Sequence, residues 1–455
     1  MLPGREAVPF RAKFCLPVGS RHLRLTLLHS NDIHGRQDRI GQIATLVRRE
    51  KATADHQVIY LDAGDVEDTS NRLSSMTKGS AMHRLLSHAG CDAATVGNGG
   101  WQRYGPQILA EHARAATYPL LLANFQPMTG PVPSVLLGEV GVFGLTAAFR
   151  HDFADTDWGW EPLDELQRAR GVARNLRATG AGLVVLLSHL GLDTPQEPWD
   201  DRRLAAELQD DIDLIVGAHS HDLLPHGELV GNVLIAQAGE FGEHLGRIEI
   251  DGDRITATVT PVSDETEQHP AVAREAALIE EAGASMLAEQ IGHLDRPLDA
   301  TWVAEMLRRR MQADVGLFSH GQTLGVVPAG RITRGALWAA SDTSANPGVT
   351  TMTGVQLSDL IRRGNDLAFV LEKPRALRGL ARGRLCVSGV EPDRVDPARS
   401  YLVAATDWEL ETYGGYTRVE WNLRMRYDFP IIIREAIEES LIAGQDAASV
   451  ETDGL

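Results

Sequence analysis

Five short stretches of the chain carry side chains able to bind cations: Ser30-Asn31-Asp32-Ile33-His34-Gly35, Asp62-Ala63-Gly64-Asp65, Gly97-Asn98, Ser188-His189 and Gly217-Ala218-His219-Ser220-His221. Their donors are Asp32, His34, Asp65, Asn98, His189, His219 and His221, a mixture of carboxylate, amide and imidazole. That is more than one tetrahedral ion takes, and it suits two divalent ions about 3.5 to 4 Å apart that share a bridging carboxylate. Imidazole beside carboxylate favours Mn, Fe, Co, Ni or Zn over Mg or Ca. Asp32 and His34, like His219 and His221, are separated by one residue, which in extended backbone turns both side chains to one face. Two such cations can cancel the charge of an anionic ester and activate water, so no protein nucleophile is required. The sequence offers no convincing Ser-His or Cys-His pair.

The placement of these stretches follows from what precedes them. Short apolar runs at Leu23 to Leu28, Val58 to Leu61, Ala93 to Val96, Leu120 to Ala123, Leu183 to Leu187 and Leu214 to Val216 read as strands. The intervals between them include helical spacing, as in Ile40, Ile43, Leu46 and Val47. The alternation predicts an α/β layered domain, in which ligands bind at the carboxyl ends of strands. Gly246 to Ile250 and Ile255 to Val259 read as a hairpin turned at Asp251 and Gly252. The expected organisation is an N-terminal tail over 1–22, a first domain over 23–262, a linker helix over 263–295, a second, smaller α/β domain over 296–444, and a tail over 445–455.

Composition narrows the partners. Among 455 residues, 44 Lys and Arg stand against 62 Asp and Glu, a formal charge of -18. That excludes a nucleic-acid binder with a basic surface. Three separated cysteines, Cys15, Cys91 and Cys386, support neither a disulfide framework nor a thiolate metal site. Phe14 to Ser20 is too short and too broken by Pro17 and Gly19 for a secretory leader, and no apolar run is long enough for a membrane span. A cytoplasmic protein with no membrane partner is expected; the oligomeric state is not fixed by the sequence.

The motif order D-x-H-G, G-D, G-N, S-H and G-x-H-x-H resembles that of the calcineurin-like metallophosphoesterases, and most closely their bacterial 5'-nucleotidase branch, from about Leu23 to Ile442. Gln237-Ala238-Gly239-Glu240-Phe241-Gly242 with Leu245-Gly246-Arg247 is similar to that branch's strand after the last metal loop, and Ile291 to Pro297 to its entry into the C-terminal domain. The resemblance implies a four-layer α/β/β/α metallophosphoesterase domain followed by a substrate domain. It implies that Asp32, His34, Asp65 and His221 hold one metal and Asp65, Asn98, His189 and His219 the other, with Asp65 as the bridge. It also implies a metal-bridging hydroxide as nucleophile and a small phosphorylated substrate, such as a nucleotide.

The chain departs from the family in two places. Relatives follow the asparagine ligand with a catalytic His and, three residues later, an Asp; here Gly99 and Gln102 occupy those positions. Loss of an acid-base group costs roughly 10²- to 10⁴-fold, and Arg103 is the candidate to supply charge in its place. A divergent bacterial subgroup also lacks this His, and Thr77-Lys78-Gly79 and Ala123-Asn124-Phe125 resemble it. In the second domain, Ser319-His320-Gly321-Gln322-Thr323-Leu324 lacks the substrate-gripping arginine. Trp408, Tyr413 and Tyr416 are the aromatics left to stack on a base. Two alternatives accompany the hydrolase reading: a metal-dependent binder of a phosphorylated ligand that turns over slowly or not at all, and a hydrolase of a sulfur-oxyanion ester.

Overall fold

The computed structural model describes residues 10–11, 23–126, 129–148, 161–194, 197–252, 254–322, 327–340, 343, 345–365, 384–412, 415–428 and 430–444. They form two compact units, one running to Glu281 and the other starting at Ala282. The first unit contains strands β1 (Arg24–Ser30), β2 (Gln57–Asp62), β3 (Ala93–Thr95), β4 (Leu120–Leu121), β5 (Val140–Thr146), β6 (Leu183–His189), β7 (Leu214–Gly217), β8 (Val233–Ala236), β9 (His244–Asp251) and β10 (Arg254–Pro261). Its main helices are α1 (Gln37–Thr53), α2 (Ser80–Ala89), α3 (Glu165–Ala178), α4 (Asp201–Glu207) and the start of α5 (Pro270–Ala288).

Two sheets result. The first runs β10-β9-β1-β2-β3-β4, with β1 to β4 parallel and β9 antiparallel to β1. The second has the parallel centre β8-β7-β6-β5, flanked by the antiparallel edge strands Glu228–Val230 beside β8 and Ser134–Leu137 beside β5. Leu25, Leu27, Ile59 and Leu61 of the first share one core with Val142, Val185, Leu187, Leu214 and Val216 of the second, so the sheets pack face to face. Ala169, Val172, Leu176 and Leu204 of α3 and α4 cover the outer face of the second sheet. Against the first lie α1 and α2, which bury Ile40, Ile43, Val47, Met82, Leu85 and Leu86. This is the α/β/β/α layering that the resemblance implies. Strand β6 explains why such strands are readable: every one of its residues is buried, and parallel strands covered on both faces must be apolar throughout. Each fully buried Leu or Val there contributes about 1.5 to 3 kcal/mol.

Three local expectations change. The N-terminal tail supplies a two-residue strand, Phe10–Arg11, that pairs with β10; the rest of 1–22 and all of 445–455 lie outside the described residues. Helix α5 occupies only Pro270–Ala288 of the 263–295 stretch, and Gln290–Leu294 is a strand paired with Gly330–Thr333. Gln237 to Gly242 is a loop between β8 and β9, not a strand.

The second unit is built on a five-stranded mixed sheet of β11 (Val315–Ser319), β12 (Pro347–Thr353), β13 (Leu385–Ser388), β14 (Ser400–Thr406) and β15 (Met425–Tyr427), in the order β13-β11-β14-β12-β15. Helices α6 (Ala300–Arg310) and α8 (Ile433–Ile442) pack with Phe318, Val349 and Ala404 on one face. Helix α7 (Gly354–Gly364) packs with Val315, Leu317 and Val403 on the other. No helix among the described residues is long and apolar enough to cross a membrane.

Candidate metal centre

The carboxyl ends of β1, β2, β3, β6 and β7 all reach one place in the first unit, and backbone bonds tie their loops together. The Ala63 amide donates to the Ser30 carbonyl at 2.9 Å, Asp32 to Gly64 at 2.9 Å and His34 to Asp65 at 2.9 Å. The expectation of extended backbone at D-x-H and H-x-H is corrected: Asp32, His34, Asp65, His219 and His221 all have left-handed φ, between 49° and 71°. They are five of nine such non-glycine residues among those described. Each such conformation costs roughly 1 to 2 kcal/mol, and strain of this kind concentrates at functional sites.

The structure brings all seven predicted donors together. The Nε2 atoms of His34 and His221 lie 3.2 Å apart. Asp32 Oδ1 is 3.4 Å from His221 Nε2 and 3.9 Å from the Nε2 atoms of both His34 and His189. Asp65 Oδ2 is 3.4 Å from His189 Nε2 and 3.8 Å from His34 Nε2, and so faces both halves of the cluster. Asn98 Oδ1 lies 3.0 Å from His189 Nε2 and 2.9 Å from His219 Nδ1.

A ring of outer contacts fixes these groups. His189 Nδ1 donates to the Ala63 carbonyl at 2.9 Å. A carbonyl only accepts, so in the neutral ring Nε2 carries a bare lone pair aimed at the oxygens of Asp65 and Asn98. The Asn98 amide nitrogen donates to Gln102 Oε1 at 3.1 Å, turning the amide oxygen inward. His221 Nδ1 contacts Glu240, and Asp32 accepts from Asn31 at 2.8 Å and from the His219 amide at 3.0 Å. Outer partners of this kind orient metal-binding imidazoles and tune their basicity.

Acceptors converging on a shared space require a cation there. Burial lowers the His189 imidazole, but the Asp65 charge and hydrogen bond outweigh it and lift the ring to about 9. Burial works against the Asp65 carboxylate too, yet the His189 charge holds it below the usual carboxylate range. His219 is pushed down to about 3 by burial and then by the His189 charge. In the absence of a metal the cluster therefore stores a proton on His189. Donors of one ion at about 2.0 to 2.1 Å lie roughly 3 to 4 Å from one another, which is the range of these separations. The donor set fits divalent metal.

The remaining candidates behave differently. Gly99 donates its amide proton to Asp65 Oδ1 at 2.6 Å, and a Cβ on it would lie 3.2 Å from that oxygen. Arg103 is half-buried on the short helix Trp101–Tyr104. In the second unit Trp408 is half-buried on Asp407–Leu410, whereas Tyr413 lies outside the described residues. Tyr416 is fully buried in the core with Val403 and Leu357, so its ring has no face left for a base. Sequence reasoning missed the roles of Asn31, Gln102 and Glu240, whose partners are remote in sequence or lack a motif.

A two-sheet α/β/β/α domain with ligand-type residues at five strand ends is the arrangement that the resemblance to the metallophosphoesterases implies. Residues 295–420 match the family model of the 5'-nucleotidase C-terminal domain. An uncharacterised metallophosphoesterase of Bacillus subtilis is 24% identical over 416 residues, covering 84% of this chain and 88% of the relative. A putative 5'-nucleotidase from Staphylococcus aureus superposes with TM-score 0.67 at 14% identity, covering 94% of this chain and 98% of that one. A 5'-nucleotidase precursor from Thermus thermophilus does so with TM-score 0.57 at 20% identity, covering 93% and 97%. Residues 295–420 thus carry the 5'-nucleotidase C-terminal domain, and the chain as a whole is similar to metallophosphoesterases and 5'-nucleotidases, which are phosphoester hydrolases.

Proposed function

We propose that the chain hydrolyses small phosphate esters, nucleotides among them, with two divalent ions held by the strand-end cluster. The observation that carries this reading is the convergence of seven buried or half-buried donors on one space, with Asp32, Asn98, His189 and His221 held by outer partners. Asp32, His34, Asp65 and His221 would hold one ion, and Asp65, Asn98, His189 and His219 the other. When bound, the ions supply charge for the phosphoryl oxygens and a water nucleophilic at neutral pH. The chain's own part is to fix geometry: the Ala63 carbonyl sets the His189 tautomer, Gln102 the Asn98 amide, and Glu240 the His221 ring.

The asparagine loop places no acid at Gly99 or Gln102, so a departing oxygen gets no proton from those positions. Esters with good leaving groups should suffer least. The rate ratio of p-nitrophenyl phosphate to an alkyl phosphate should exceed that of a relative with the loop histidine by up to roughly 10²-fold. The missing imidazole also favours a second reading, a metal-dependent binder of a phosphorylated ligand.

The protein, loaded with Mn, Co or Zn, is to be assayed on p-nitrophenyl phosphate, its bis ester and nucleoside phosphates, with Asp65→Ala alongside. A rate that needs metal and disappears in the variant is expected. If no metal gives such a rate but phosphate esters still bind metal-dependently, the binder reading stands instead. Sulfate release without phosphate release would point to a sulfur-oxyanion ester.

A further inference from the structure

A second group of metal-type donors lies buried behind the asparagine loop. Glu67, His83 and His112 are 7%, 2% and 0% exposed. Among the described residues they are the only other group of three or more such donors. Glu67 Oε1 is 2.8 Å from His83 Nε2 and 3.0 Å from His112 Nδ1. We propose that these three side chains form a third divalent-cation site, of the zinc class, separate from the strand-end cluster.

The argument starts at His112. Its Nε2 is 2.6 Å from the Lys78 carbonyl, which can only accept, so Nε2 carries the proton. In the neutral ring Nδ1 is then a bare lone pair. It is buried, has no hydrogen-bond partner, and faces the Glu67 carboxylate. Two acceptors held together in a dry interior call for a cation, either a second proton on the ring or a metal. At the far side of His83, Nδ1 lies 2.9 Å from the Tyr118 hydroxyl, which can accept a proton from Nδ1 and leave Nε2 free to ligate. Both imidazoles thus have the back-side anchor that metal-binding histidines have. Two imidazoles and a carboxylate are zinc-type donors, and the contacts need to widen by only a few tenths of an ångström to reach the roughly 3 to 4 Å between donors of one ion.

The surrounding backbone is shaped to this group. Lys78, which supplies the carbonyl, is itself left-handed at φ 47°. A Cβ on Gly79 would come within 2.8 Å of His112 Nε2, and one on Gly100 within 2.9 Å of His112 Cε1 and 3.2 Å of Glu67 Oε1. Glu67 follows the β2 loop, His83 is on α2, and His112 is on helix Ile108–Ala115. An ion here would staple three segments directly beneath Gly99 and Gly100. It would position the asparagine loop without touching substrate.

The test counts ions in the full chain and does not depend on catalysis. In an Asp32→Asn, Asp65→Asn background, zinc loaded in slight excess and then desalted should leave one ion per chain by elemental analysis. Adding His112→Gln, or separately His83→Gln, should leave none. Cobalt substitution should show tetrahedral d–d bands that vanish in the same variants, with folding checked by thermal unfolding. No ion in the background chain, or a count unchanged by either histidine variant, overturns the proposal and leaves a buried imidazolium-carboxylate pair in its place.

Discussion

The strand ends of the two units make an instructive pair. In the second unit, β11 ends at Ser319 beside the buried carboxylate of Glu409. That carboxylate accepts from the Ser319 amide at 3.0 Å, from Gln322 Nε2 at 2.5 Å, and from the Thr406 amide and hydroxyl at 3.1 and 2.5 Å. Every lone pair is met by a donor, and nothing remains for a ligand. Gln322, in the segment where relatives grip substrate with arginine, is spent on this network. In the first unit the strand ends point acceptors at one another: His34 against His221, and Asn98 and Asp65 against His189. A satisfied polar network rigidifies a core, whereas one that is short of positive charge is a site.

That contrast can be broken by substitution. The largest effect is expected for Asp65→Ala, which should lower metal-dependent turnover by roughly 10³-fold or more, since it removes the oxygen facing both halves of the cluster. Gln102→Leu and Glu240→Leu each remove an outer partner, and each should weaken metal affinity by about 10- to 100-fold in an equilibrium titration. A smaller effect comes from pH. His189, lifted to about 9, must release its proton when metal binds. Affinity should therefore fall as pH drops below about 9, by about tenfold per unit for that single proton; a flat profile would mean that His189 does not ligate. Smallest on the metal readout is Glu409→Gln. It sets an amide N–H₂ against two donors, so it should cost about 1 to 3 kcal/mol in denaturant unfolding and leave the metal titration unchanged. Metal loss there would erase the distinction between the two networks.

Much of the first unit was legible because its central strands are apolar runs ending in polar ligands. Six of its strands could be placed from those runs, and the hairpin of β9 and β10 from its turn. Strands β5 and β8 escaped notice. Val140–Thr146 is interrupted by Gly141 and Gly144, and Val233–Ala236 is not followed by the histidine, aspartate or asparagine that marks the other strand ends. Gly144 needs the close approach: a Cβ there would meet Thr95 Oγ1 at 2.3 Å. Tyr416 shows the converse: an aromatic beside glycines reads as available in the sequence, but packing buries its ring in the core.

Composition and motif order by themselves pointed to the class of fold and to the seven donor-type residues at its strand ends. They did so because a strand's covalent neighbourhood dictates what stands at its end. Only tertiary structure decided how those donors are aimed. The carbonyl behind His189, Glu240 beside His221 and the meeting of Glu67 with His83 and His112 depend on segments brought together by packing. Sequence spacing carries no record of such contacts, because they are fixed by the burial of apolar faces elsewhere in the layers.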